Sequence, residues 1–67
     1  MALEPIASDH RDFVTSLAKG ISVIRAFGSD AETLSLTEVA AKTGLNRAGA
    51  RRLLLTLEAL GYVGRDR

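Results

Sequence analysis

Arg47, Arg51 and Arg52 lie within a span of six residues, and no acidic residue interrupts the chain from Arg47 to Leu57. A guanidinium is a rigid fork of donors that meets a phosphate, or the O6/N7 edge of a guanine, with two parallel hydrogen bonds. Asn46 and Arg47 open the segment. If it is a helix, its free backbone N–H groups at that end favour an anion. The chemistry these residues could do is recognition of a nucleic-acid groove. Arg51 is aimed for a base edge and Arg52 for phosphate at the rim, with Asn46, Arg47 and Ala48 at the mouth of the groove.

Catalytic chemistry has no comparable support. Ser8, Asp9 and His10 are the residue types of a nucleophilic triad, but as chain neighbours their side chains cannot converge in the relay geometry. His10 is the only histidine and there is no cysteine, which leaves too few ligands for a typical zinc site. Gly44 and Gly49 do not follow a strand as a phosphate-cradling loop requires. No enzyme activity, metal or cofactor is therefore expected.

The arginines need a scaffold, and the run from Ser35 to Leu53 provides one. Ser35 and Glu38 have the spacing of a capping box, with Leu34 and Val39 at the positions of a hydrophobic staple, so a helix is expected over about Leu36 to Thr43. Ala40 is small enough for a second helix to cross over it. Gly44 can take the positive φ that a three- or four-residue reversal requires. Asn46 is a good N-cap for a helix over about 47–60, and Gly61 suits its left-handed end, with Tyr62 able to fold back over Leu57. At 100° per residue, Ala50, Leu53, Leu54, Leu57 and Leu60 share one arc, while Ala48, Arg51, Arg52 and Leu55 share the opposite one. Leu55 is the odd member of the polar arc, read either as an isolated exposed leucine or as a contact to a partner or a thymine methyl. This spacing is that of a helix-turn-helix, with Ser35, Thr37 and Lys42 placed to add backbone contacts from its first helix. For Ser35 the structural cap is the preferred role.

Upstream, Leu17, Gly20, Ile21, Ile24 and Phe27 recur at three- and four-residue steps, which predicts an amphipathic helix from about Ser16 to Phe27, closed by Gly28. This stripe is expected to face the core. Residues 1–12, with Pro5 and mixed charges, read as a flexible arm, and 13–67 as the domain proper. Ser29 to Glu32 is a polar connection. Thr33-Leu34-Ser35-Leu36 reads as a short strand, Tyr62-Val63 as the start of another, and Gly64 to Arg67 as a hairpin turn. A strand without its return partner is not stable alone, so this wing is expected to be incomplete and the chain to be the N-terminal part of a larger protein.

Composition sets the remaining bounds. A chain of 67 residues without cysteine is one small domain that must be stabilised by helix packing. The net charge is +1, but it is unevenly distributed: residues 1–44 carry four basic against six acidic residues, and residues 45–67 carry five basic against two acidic. No apolar stretch approaches the roughly 18 residues of a membrane span, and the first residues lack the layout of a signal peptide, so a cytoplasmic location is expected.

Taken together, Ser16-Leu17-Ala18-Lys19-Gly20, Arg25-Ala26-Phe27, Leu34 to Ala40, Gly44-Leu45-Asn46-Arg47-Ala48, Arg51 to Glu58 and Leu60-Gly61-Tyr62-Val63 resemble the N-terminal winged helix-turn-helix domain of the IclR family of bacterial transcription regulators. The likeness is strongest to the branch that controls aromatic-acid catabolism, and it runs from about Phe13 to the end. It implies a mostly α fold of three helices with a short β-strand and a wing, and sequence-specific binding to a double-stranded operator. It further implies a C-terminal domain, absent here, that binds a small organic effector, and assembly as dimers or tetramers. On this resemblance Arg65 and Arg67 are the wing residues placed to touch DNA. Two departures stand out. Ala50 is smaller than the Ile or Val common at that core position, and Gly49 weakens the first turn of the recognition helix. The competing reading is a winged helix used only for protein contact or dimerisation, with Arg51 and Arg52 solvated and Leu55 in the interface.

Overall fold

A computed structural model describes residues 4–28 and 33–64. Three helices account for most of them: α1 (Thr15–Ala26), α2 (Leu36–Thr43) and α3 (Arg47–Ala59), each packed against the other two. The core is correspondingly small. Val23 from α1, Val39 and Ala40 from α2, and Ala50 and Leu57 from α3 are buried, with Phe27, Leu34, Leu36, Leu45, Leu53, Leu54 and Val63 packed around them.

The ends of α2 are encoded locally. The Ser35 hydroxyl accepts from the Glu38 N–H at 3.1 Å, and the Ser35 N–H donates to Glu38 Oε1 at 2.9 Å, which completes the expected capping box. Leu34 and Val39 both join the core, as a staple requires. At the other end Gly44 stands at φ 75° and donates its N–H to the Ala40 carbonyl. Thr43 then fixes the turn, its hydroxyl donating to the Val39 carbonyl at 2.8 Å and accepting from the Leu45 N–H at 3.3 Å.

The capping box also creates a pH dependence. Hydrogen bonding from the Ser35 N–H, then from the Ser35 hydroxyl, and the nearby charge of Lys42 hold the Glu38 carboxyl below its ordinary value of 4.5. A carboxylate whose pKa is depressed by folding stabilises the folded state above its unfolded pKa and loses that contribution as pH falls through the folded value. Thermal unfolding followed between pH 6 and 2 is therefore expected to show a component that disappears below about 4.5. In Ser35→Ala that component flattens, and stability at neutral pH drops by about 1 kcal/mol. A pH profile identical in the two proteins would show that the box contributes nothing.

Helix α3 ends in two backbone bonds, Tyr62 N–H to the Leu57 carbonyl at 2.9 Å and Gly61 N–H to the Glu58 carbonyl at 3.0 Å, the Schellman pattern. The backbone thus returns to Leu57 as expected, but the Tyr62 ring does not, remaining 69 % exposed. Val63 packs on the core instead.

Several expectations are corrected. The stripe assigned to the core on α1 is rotated: Val23 is fully buried and Gly20 and Phe27 are half-buried, whereas Leu17, Ile21 and Ile24 are exposed. The reason lies in where α3 crosses, since it is its Leu53 that lies over Gly20, the methyl Cδ2 being 4.0 Å from where a Cβ would stand. Leu60 leaves the core arc in the same way and is 65 % exposed, because the helix closes at Ala59. Residues 33–36 are not a strand, since Ser35 caps α2 and Leu36 is its first residue. Tyr62 and Val63 form a bend and not a strand, so no strand is present among the described residues, and the wing is not shown. The polar connection Ser29 to Glu32 and the turn residues Arg65 to Arg67 lie outside the described residues. Between Pro5 and Val14 the backbone makes turns, with the His10 N–H bonded to the Ala7 carbonyl at 3.0 Å.

Candidate nucleic-acid interface

Helix α3 is an amphipathic rod with its arginines outward. Ala50 and Leu57 are buried and Leu53 and Leu54 half-buried, while Arg47, Ala48, Arg51, Arg52 and Leu55 are exposed. At about 100° per residue, Arg47 and Arg51 fall one turn apart on one flank, and Ala48, Arg52 and Leu55 lie along the line opposite the core. The helix thus projects its guanidinium groups in two directions roughly at right angles.

The N-terminus of α3 is held by Asn46, whose Oδ1 accepts from the Gly49 N–H at 2.6 Å. That contact gives Gly49 a purpose. A Cβ on residue 49 would stand 3.0 Å from Asn46 Oδ1, tighter than side chains normally tolerate, so glycine is what lets the cap close so tightly. The lost helix propensity, roughly 1 kcal/mol against alanine, accompanies a better-anchored first turn. Because the cap uses Oδ1 on Gly49, the amide Nδ2 is the end of Asn46 suited to donate to a phosphate or a base.

The flank that carries Arg51 borders a groove of about 430 Å³, whose apolar floor is made by Phe27, Leu34, Leu36, Leu54 and Val63, with Leu55 and Glu58 on its edge. Leu55 is therefore not isolated: it sits between this groove and the outer line of the helix. The two contributors from α2 are placed differently from one another. Thr37 is exposed on its first turn. Lys42 is exposed at the opposite end and reaches the Ala26 carbonyl of α1 with its ammonium, 3.4 Å away. Arg65 and Arg67 lie outside the described residues. Sequence reasoning missed the coupling of Gly49 to Asn46, although a glycine three residues after an asparagine cap was the available signal.

No helix among the described residues is long and apolar enough to cross a membrane. Residues 16–67 match the family described as the IclR helix-turn-helix domain. The chain is similar to a Pca operon regulatory protein of Acinetobacter baylyi, 51% identical over 57 residues, which is 85% of this chain and 20% of that protein. From the same organism it is similar to a p-hydroxybenzoate hydroxylase transcriptional activator, 47% identical over 55 residues, 82% of this chain and 20% of that one. A Pca regulon regulatory protein of Pseudomonas putida is 44% identical over 55 residues, 82% of this chain and 19% of the relative. The chain thus spans about a fifth of the length of these relatives, which are transcriptional regulators and not enzymes. No solved structure matches it. A capped two-helix turn carrying an outward arginine face, matched over most of its length by a family model, places the chain in the IclR family as a helix-turn-helix domain.

Proposed function

We propose that this domain binds an operator sequence-specifically, with the N-terminal half of α3 in the major groove. The observation that carries the reading is the acid-free arginine face from Arg47 to Arg52, exposed on a helix whose opposite side is the core. Arg52 points about 100° away from Arg51 around the helix, so the two side chains meet different parts of the groove. Arg51, in line with Arg47 at the end where Asn46 offers its donor, reads a base edge, and Arg52 grips phosphate. Ala48 allows close approach, and Thr37 and Lys42 add backbone contacts from α2. Arg65 and Arg67 extend the contact from the wing. In the whole protein a further domain binds a small organic effector, for which the relatives' roles in Pca and p-hydroxybenzoate regulation favour an aromatic acid, and the assembly is a cytoplasmic homodimer or tetramer.

The test is binding to pools of random and enriched duplexes, followed by base-by-base substitution of the selected site. Arg51→Ala is expected to lose preference at one position, at a cost of about 1–3 kcal/mol, while Arg52→Ala weakens binding to all sequences alike. Identical profiles for the two variants would overturn the assignment of roles. Absence of binding to any duplex would favour the protein-contact reading of the same helix.

A further inference from the structure

Between the two directions taken by Arg51 and Arg52 runs a line of α3 that carries no charge. At about 100° per residue, Ala48 and Leu55 fall within about 20° of each other and close to midway between the two arginines. Both are exposed, Leu55 to 38 %, and their line stands nearly opposite the buried Ala50 and Leu57. A helix seated in a groove by the face opposite its core turns this line, and not its arginines, to the middle of the groove floor. An apolar pair in that place needs an apolar counterpart.

The floor of the major groove offers one. Among the edges that the four bases present there, the apolar group is the C5-methyl of thymine. The nitrogen and oxygen atoms elsewhere on the floor would lose water against a leucine and gain no hydrogen bond in return. A protein laid on Leu55 would have to supply acids for Arg51 and Arg52 on both sides of its contact, since this helix has none from Arg47 to Leu57. A duplex brings a base edge and a phosphate to those two positions by its own geometry.

We propose that Ala48 and Leu55 read thymine C5-methyl groups, a specificity that rests on the DNA-binding reading and adds two bases to it. Seven residues at a rise of 1.5 Å separate the two side chains by about 10.5 Å along the helix, which is about three base-pair steps. Arg51 stands between them in height. The half-site therefore carries two thymines, on either strand, about three steps apart, and they bracket the base that Arg51 meets. The two side chains differ in length as the seating requires. Ala48, in the first turn, reaches a methyl only where the backbone lies close to the floor, and Leu55 spans the wider gap where the helix leaves the groove.

Deoxyuridine in place of thymidine tests it, because the exchange deletes the methyl and leaves every hydrogen-bonding atom where it was. Duplexes recovered by enrichment are resynthesised with one thymidine at a time replaced, and affinity is read by fluorescence anisotropy at fixed salt. Two positions about three steps apart are each expected to lose about fourfold, the worth of one buried methyl, and the other thymidines little. The loss at one of them vanishes in Ala48→Gly and at the other in Leu55→Ala. Each comparison is made within one protein, so a change in overall affinity or stability of a variant cancels. At the same two positions 5-methylcytosine binds better than cytosine by a similar factor. A selected site without thymines at that spacing overturns the assignment, as does indifference to deoxyuridine at every position or a loss that persists in both variants, and each leaves DNA binding by α3 standing. Absence of binding to any duplex overturns the DNA reading itself, and this specificity with it.

Discussion

Raising salt from 50 to 200 mM is expected to weaken binding of this domain to its operator by about 60- to 1,000-fold. The three exposed arginines of α3, helped by Lys42 or the wing arginines, neutralise some three to five phosphates. Each one displaces condensed counterions, so log K falls against log salt with a slope of about −3 to −5 per monomer. The net charge of +1 is too small for a diffuse field to produce that slope. It has to come from the local face. Fluorescence anisotropy across a salt series checks it, and a slope near zero would show that the arginines do not lie on the phosphates. Arg52→Ala should reduce the slope by about one.

The second large effect concerns the core. Leu57 is the largest buried side chain of α3, and it joins Val23 and Val39 in a cluster of five buried residues among those described. Leu57→Ala removes three carbons and leaves a cavity, a change that costs about 2–5 kcal/mol in well-packed cores. A domain of this size has roughly 3–10 kcal/mol in total. The variant is thus expected to lose about half of the domain's stability, with the urea midpoint falling in proportion. A loss under about 1 kcal/mol would mean that the site collapses around the gap. By contrast Leu60→Ala, on the same helix but exposed, should change stability little.

The contrast between Leu57 and Leu60 also marks how far the sequence could be read. Helix α2 was legible to its last residue because both of its ends are written in local chemistry, Ser35 with Glu38 at one and Gly44 at the other. The start of α3 was legible for the same reason, through Asn46. What periodicity could not tell was which way α1 faces. Apolar residues at 17, 20, 21, 23, 24 and 27 spread over about 160° of its circumference, wider than the contact another helix covers, and only the position of Leu53 over Gly20 decides that Val23 points inward. Thr33 to Leu36 alternates as a strand does, yet the hydroxyl of Ser35 can serve only one element, and the cap wins. On the candidate interface, Asn46, Arg47, Ala48, Arg51 and Arg52 all lie exposed on one helix as the pattern suggested. The groove beside Arg51 was not legible, because it is assembled from Phe27, Leu34, Leu36 and Val63, far apart along the chain.

The tight closure of Asn46 on Gly49 makes the two positions one energetic unit. A Cβ at residue 49 would stand 3.0 Å from Asn46 Oδ1, so a side chain there displaces the cap oxygen by a few tenths of an ångström while adding helix propensity of roughly 1 kcal/mol for alanine. Without the Asn46 side chain the same alanine meets nothing at that oxygen. The gain from Gly49→Ala is therefore expected to be larger in an Asn46→Gly background than in the wild-type chain, a coupling that a double-mutant cycle on thermal stability reads directly.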